Sequence, residues 1–405
     1  MIDLRTYPRP FQLAFGGIAL LLLVVEHING RFWLNDLRVY YGAGEALLHG
    51  TPLYGVAHGL DTGIFKYAPL LALLYAVFAL LPYSIAASLQ YGLIALAFID
   101  GLRRIDELVR ERLLSGKPPA YLPLLLITLT VVVHLHRELH LGNINMMLLW
   151  LLVVALQQLD RGHLDRGGLL VGLTILAKPH FLVLLPLFVL HGQWRALRSI
   201  VLAIGAGVVL PALFLGWEAN LAMHRAWLGE MAAHNATLIY TGGDDHRAVN
   251  TIYSFLHRAV LSRWLGAPSS AEAYLILAAV AIGCGAFAVW NRVRRRPQAF
   301  LFAYLLLVGL VPTITLTDTE HFLFAMPLVA YLIHRMVPKA DPRWLAFIAV
   351  PLLLLYGGNI EDALGTYSDV LIHFGALGIG GFGIIVLTAF VWARSNPRDS
   401  GVSNP

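Results

Sequence analysis

Long apolar runs, interrupted at intervals by short charged turns, constrain this chain more than any other feature. Between Phe11 and Ile28 the only ionisable residues are Glu26 and His27. A helix needs about 20 predominantly apolar residues to cross a bilayer core roughly 30 Å thick. Comparable runs lie near 11–29, 83–101, 119–136, 144–159, 167–178, 180–191, 199–216, 272–291, 298–315, 322–337, 344–357 and 370–392. These twelve are read as membrane spans. Of 405 residues 58% are hydrophobic and 13% charged, against roughly 25% charged in soluble chains, so little remains for an extramembrane domain. The expected fold class is an all-α polytopic membrane protein. The first run is longer than a signal-peptide core and lacks a small-residue cleavage site, so it is read as a retained span.

The stretch 67–81 is apolar but short and ends at Pro82, which suggests a segment that dips into the outer side without crossing. Cytoplasmic loops carry the excess of Lys and Arg. With 67–81 dipping, Arg103, Arg104, Arg110, Arg112, Lys117, Arg161, Arg166, Arg195, Arg198, Arg292 and Arg294–Arg296 fall inside, and the inner segments hold 20 of the 29 basic residues. Both termini are then cytoplasmic. Carboxylates show the reverse bias, Asp36, Glu138, Asp318 and Glu320 among them, and two large outer loops, 30–66 and 217–270, concentrate the polar residues. The formal charge of +5 reflects anchoring arginines, not a nucleic-acid surface. Cys284 is the only cysteine, which excludes a disulfide framework or a zinc cluster built on thiolates.

From Asp36 the first outer loop has a helical repeat, Leu37, Tyr40, Tyr41, Gly44, Leu47, closed by Gly50. Asn35 or Asp36 suits its cap, and a carboxylate at a helix start beside the membrane also suits proton abstraction from a hydroxyl. Lys178, between two apolar segments of about 12 residues and followed by Pro179 and His180, is placed at the outer turn of a short helical hairpin. A lysine there either snorkels to the interface or faces a recessed cavity, where its point charge suits a lipid-linked phosphate. His134, His136, Arg137, Glu138 and His140 crowd one span end. Their spacing turns side chains to different faces, so a metal site is not expected; Arg137 or His136 suits a donor phosphate, and solvation at the interface is the alternative for the whole cluster. His321, among Asp318 and Glu320, is expected to be protonated by its acidic neighbours.

Taken together, Asp36, Tyr40, Gly50, Pro52-Leu53-Tyr54 and Lys66-Tyr67-Ala68-Pro69, then Gly142-Asn143-Ile144-Asn145, then Gly172 to Lys178-Pro179, then Asn250-Thr251-Ile252-Tyr253-Ser254 with Arg258, then His321 with Pro327, resemble membrane glycosyltransferases of the GT-C fold that use polyprenyl-phosphate sugars, in particular glycosyltransferase family 87. Asn143 stands where that family usually has glutamine. The resemblance implies one integral membrane domain over 1–405: a core module 1–216 with outer loop 30–66, a second outer loop 217–270, variable C-terminal helices 271–393 and a cytoplasmic tail 394–405. It implies that Asp36 is the catalytic base, that Lys178, His321, His180, Arg137, Asn143, Asn145, Lys66 and Tyr67 contact the donor and its phosphate, and that Tyr40, Tyr54, Asn250 and Arg258 contact the acceptor or order the loops. It further implies a lipid-linked hexose donor, with mannose the expected sugar, a glycolipid or polysaccharide acceptor, inversion at the anomeric carbon, and no metal or cofactor. The expected location is a bacterial inner membrane with the site on its outer face. A lipid-linked-sugar flippase and a non-catalytic polysaccharide-assembly subunit are the competing readings; concentration of polar residues on one face argues against alternating access.

Overall fold

The computed structural model describes residues 9–395 except 31, 33, 61–62, 115, 235–238, 240–245 and 338–342. Trp33, an aromatic that suits an outer interfacial belt, and Asn235-Ala236-Thr237, which fits a glycosylation sequon, lie outside the described residues. Helices follow one another as α1 (Arg9–Ile28), α2 (Asn35–His49), α3 (Pro69–Ala79), α4 (Tyr83–Leu108), α5 (Tyr121–Leu141), α6 (Asn145–Asp160), α7 (Leu164–Ala177), α8 (Leu185–Leu190), α9 (Trp194–Val209), α10 (Ala212–Leu215) and α11 (Trp217–His234). Then come α12 (Ile252–Leu256), α13 (Ser262–Leu265), α14 (Ser270–Val293), α15 (Ala299–Ile314), α16 (Met326–Met336), α17 (Arg343–Gly357), α18 (Glu361–Leu364), α19 (Thr366–Phe374) and α20 (Ala376–Arg394). Single 3₁₀ stretches, Pro179–Leu184 and Thr319–Ala325, lead into α8 and α16. No strand occurs among the described residues beyond an isolated bridge between Ala57 and Ile64.

Each of the twelve apolar runs coincides with a helix or a helix joined to a short companion. Among the described residues, six helices are long and apolar enough to cross a membrane by length and composition. The 11 residues of α3 rise only about 16 Å, too little to span, as the dipping segment requires. It packs under α2, where Gly44 lies against the backbone of Tyr75. The protein is a multi-pass membrane protein of the all-helical architecture expected.

Helix ends explain where the functional side chains go. Gly50, with φ of 66°, closes α2. At the other end Leu34 occupies the cap position with no side-chain hydrogen bond, so neither Asn35 nor Asp36 caps the helix. Asn35 Oδ1 instead accepts from the amide of Leu60 at 2.9 Å and ties the loop over α2. Gly142 ends α5 with φ of 69°, a conformation that favours glycine; a Cβ there would also meet Leu34 and Leu37 at 3.0 Å. Buried Glu138 then accepts the amide of Met146 at 2.8 Å, satisfying an orphan donor in the first turn of α6. Pro179 stops α7, and Lys178 is extended, with φ −134° and ψ 100°, as a residue before proline prefers. The glycine that opens the Gly172 to Pro179 motif is explained by packing: a Cβ on Gly172 would lie 2.6 Å from Ala203 Cβ and 2.9 Å from the Ile200 carbonyl of α9.

One continuous apolar core runs from Ala19 to Trp392, with Phe302 and Trp392 stacked at 4.3 Å. Helices α15, α16, α17 and α20 contribute residues to this same core. Arginines gather at one end of the bundle: Arg104 donates to Gln157 at 2.6 Å, Arg112 pairs with Asp160 at 2.7 Å, and Lys117 reaches the His334 carbonyl at 2.8 Å. The ends of α5 and α7 and the start of α2 meet at the opposite end.

Candidate functional site

At that opposite end a cavity of about 410 Å³ opens. It is lined by Asp36, Val39 and Tyr40 of α2, by Lys66 and Tyr67, by Asn143, by Lys178, Pro179 and His180, by Met231 of α11, and by Thr317, Asp318, Glu320 and His321. Segments far apart in sequence thus supply one wall each, and Trp227 of α11 holds the Lys66 carbonyl at 3.1 Å.

Lys178 is buried, 6% exposed. Its Nζ donates to Asn145 Oδ1 at 2.5 Å and to His321 Nε2 at 2.6 Å. This settles the choice left by the sequence: the lysine faces the cavity and does not snorkel. Asn145 is fully buried and absent from the lining; its amide donates to Glu138 at 2.9 Å while its oxygen receives Lys178. It anchors the lysine from behind, a different position from the donor contact expected of it.

His321 departs from expectation in its proton. An imidazole that accepts from an ammonium at Nε2 carries its hydrogen on Nδ1, an assignment made from the network, and Nδ1 lies 3.3 Å from Glu320 Oε1. The neutral ring, not the imidazolium, fits beside buried Lys178, because two adjacent cations would repel.

Asp36 lines the cavity without capping its helix. Its Oδ2 accepts from Asn143 Nδ2 at 2.6 Å. Burial first, then the nearby Glu320 and Asp318 carboxylates, push the Asp36 carboxyl up to about 7, with Lys178 and the Asn143 hydrogen bond pulling the other way. A carboxyl poised there is divided between acid and base near neutral pH. Tyr40 donates to Asn143 Oδ1 at 3.0 Å and shares a hydrogen bond with the Tyr67 hydroxyl at 2.9 Å. Burial pushes the Tyr67 phenol well above its ordinary value, so it serves as a neutral hydroxyl.

Other expected residues are elsewhere. Arg137 is outside the lining and pairs through Nε with Glu320 Oε2 at 3.1 Å; it balances a cavity carboxylate from behind. Tyr54 is also outside the lining, and its hydroxyl donates to the Tyr67 carbonyl at 2.7 Å, bracing the loop. Asn250 accepts from the Gly378 amide at 3.2 Å, and Arg258 donates to the carbonyls of His373 at 2.8 Å and Val249 at 3.1 Å. Both pin the second outer loop to α19 and α20, because the 3₁₀ turn His246–Asn250 and α12 pack there and not over the cavity. Glu320, 1% exposed, Glu138, Asp318 and Thr317 were not singled out as site residues. The Thr317 to His321 run was the available signal, since two carboxylates and a histidine are costly at a membrane boundary. Among the described residues no group of three His, Cys, Asp or Glu side chains is arranged to hold a metal ion.

The sequence profile of glycosyltransferase family 87 matches residues 65–317. Over 204 residues the chain is 29% identical to an alpha-(1->3)-arabinofuranosyltransferase of Corynebacterium glutamicum, covering 49% of this chain and 46% of that protein. Over 193 residues it is 30% identical to the protein of the same description from Mycobacterium tuberculosis, covering 47% and 42%. The chain thus spans less than half the length of these curated relatives. Among solved structures it is similar to ArnT from Cupriavidus metallidurans bound to undecaprenyl phosphate, at 14% identity and a TM-score of 0.39, covering 97% of this chain and 78% of that one. The matched profile takes in Tyr67, Asn143 and Lys178 and more than half of the sequence: this chain belongs to glycosyltransferase family 87.

Proposed function

We propose that this protein is an inverting glycosyltransferase that moves a sugar from a polyprenyl-phosphate donor to a hydroxyl of a glycolipid or polysaccharide acceptor. The observation that carries the reading is that a carboxylate poised near neutrality, Asp36, and a buried ammonium, Lys178, line the same cavity. Asp36 removes the proton from the acceptor O–H. The acceptor oxygen attacks the anomeric carbon, the carbon–oxygen bond to the phosphate breaks on the opposite face, and the polyprenyl phosphate leaves with the electron pair. Lys178, supported by Lys66 and His180, offsets the charge that develops on the phosphate; neutral His321 adds a hydrogen bond from Nδ1 after turning from Glu320. With cations supplied by side chains, transfer is proposed to proceed without a divalent metal, so activity should survive exhaustive chelation.

The sugar is the finer question. The family resemblance leads to a hexose such as mannose, while the relatives described as arabinofuranosyltransferases favour a pentofuranose. Segregation of basic residues to the other end supports cytoplasmic termini and a site on the outer face of a bacterial inner membrane. The test is transfer of label from polyprenyl-phosphate mannose and polyprenyl-phosphate arabinofuranose to a total lipid extract by the purified protein. Asp36→Asn should lower turnover by about 10²–10⁴-fold, the usual contribution of a general base, with donor binding kept. Wild-type turnover in that variant overturns the assignment, and transport of donor across vesicles without covalent product would favour a flippase.

A further inference from the structure

Only one oxygen of the Asp36 carboxylate is held by the protein among the described residues, and the group holding it is itself fixed from three directions. Asn143 Oδ1 accepts from the Ile144 amide at 2.7 Å and from the Tyr40 hydroxyl at 3.0 Å. With two donors on its oxygen, the side-chain amide has one orientation left, and Nδ2 faces Asp36 Oδ2 at 2.6 Å and Glu320 Oε1 at 3.5 Å. The backbone that carries this amide is equally constrained. Gln90 Nε2 reaches the carbonyls of Gly142 at 3.2 Å and Asn143 at 3.3 Å, and Tyr75 donates to Gln90 Oε1 at 3.2 Å. Asn143 is 3% exposed, yet it lines the cavity beside Asp36.

We propose that Asn143 is the positioning residue of the base: its amide N–H holds Oδ2 of Asp36, leaving Oδ1 turned to the acceptor hydroxyl, and it separates that carboxylate from Glu320. A short hydrogen bond from an amide to a carboxylate is charge-assisted and directional, so it selects one rotamer of Asp36 from those an aspartate near a helix start can adopt. The proposal rests on the reading of Asp36 as the base. It assigns Asn143 a role toward the carboxylate in place of the donor contact that the family resemblance implied. The groups that face Asp36 are Tyr40 on its own helix, Tyr67 and Lys66 from the loop, Lys178 and His180 after α7, and Asp318, Glu320 and His321 after α15.

The experiment uses the full chain in detergent and two readouts. One is the pH dependence of kcat/KM with polyprenyl-phosphate mannose or arabinofuranose, whichever turns over. The other needs no turnover: the carboxyl stretching band that disappears in Asp36→Asn reports the titration of Asp36 by infrared difference spectroscopy. Asn143→Asp keeps the side-chain shape but sets a second carboxylate against Asp36; it should move the Asp36 midpoint, and the acidic limb of kcat/KM, upward by about 1 unit or more, as like charges do. Asn143→Ala should raise the midpoint less and lower kcat by roughly 10–100-fold, with donor KM little changed, as expected for misplacement near the chemistry. Should Asn143→Asp fail to fold, Asn143→Ser supplies the same midpoint measurement. An unmoved Asp36 midpoint in these variants overturns the proposal, even if folded yield falls, because a merely structural asparagine would leave the titration where it is. Full turnover in Asp36→Asn would instead overturn the base assignment itself, whatever Asn143 does.

Discussion

The two ends of the helical bundle treat buried carboxylates differently. At the basic end Asp106 is fully buried and is met by Arg110 Nε at 2.7 Å and His334 Nε2 at 2.8 Å; Arg110 goes on to the Lys117 carbonyl at 2.7 Å. Nearby, Asp100 takes Arg103, Arg104 and the Trp150 indole, all within 3.1 Å. These carboxylates are saturated by donors from α4, α6 and α16 and by the turn after α4. At the cavity end Asp36 has a single protein donor among the described residues, and Asp318 and Glu320 share its space. Saturation locks helices together, because an ion pair in low dielectric needs every partner in place. Deficiency leaves lone pairs directed at an open volume, and that is a property of sites made to bind and react.

Paired substitutions test this contrast. The largest separation should come from Asp106→Ala set beside Asp36→Asn. Losing one partner of a buried pair typically destabilises by about 3–5 kcal/mol, so Asp106→Ala should lower folded yield and thermal midpoint while turnover per folded molecule stays near wild type. Asp36→Asn should do the reverse. If both variants lose only stability, the cavity end is structural like the other.

The next effect is a matter of pH. Below about 7 the Asp36 base is increasingly protonated, so kcat/KM should fall about tenfold per unit on the acidic side, and Asp36→Asn should erase that limb from any residual rate. Stability should show the opposite sign. The folded carboxyl sits above its ordinary 3.8, so its contribution is fully present below about 4 and is lost as pH rises through about 7; unfolding profiles of wild type and Asp36→Asn should diverge across that window. The smallest effect is expected at Arg258, which hydrogen-bonds backbone carbonyls away from the cavity. Arg258→Ala should cost roughly 1–2 kcal/mol of stability, read from thermal unfolding, with unchanged KM for donor and acceptor.

The apolar spans were legible because their cause is local: each run must satisfy its backbone within itself, so length and hydropathy are enough. The short α3, the stop at Gly50 and the break at Lys178-Pro179 were legible for the same reason. Asp36 and Lys178 also stood out, since a charge at a span end is costly wherever the chain goes. What could not be read was partnership. Asn35 and Asp36 looked like caps, but their side chains found Leu60 and Asn143. Arg137, Asn250 and Arg258 sat in plausible motifs and yet serve Glu320 and backbone carbonyls. The proton on His321 was misjudged because its acidic neighbours are adjacent in sequence, whereas the ammonium that decides its state comes from Lys178.

By itself, then, the amino-acid sequence determined a polytopic helical bundle with charge sorted to its two ends, because hydrophobic length and charge cost act residue by residue. Only the tertiary structure decided which charges meet. The turn at Gly142, the break after α7 and the 3₁₀ stretch before α16 bring Asn143, Lys178 and Glu320 to Asp36 from helices far apart in the chain, and in a low-dielectric cavity the identity of the nearest donor sets what each carboxylate can do.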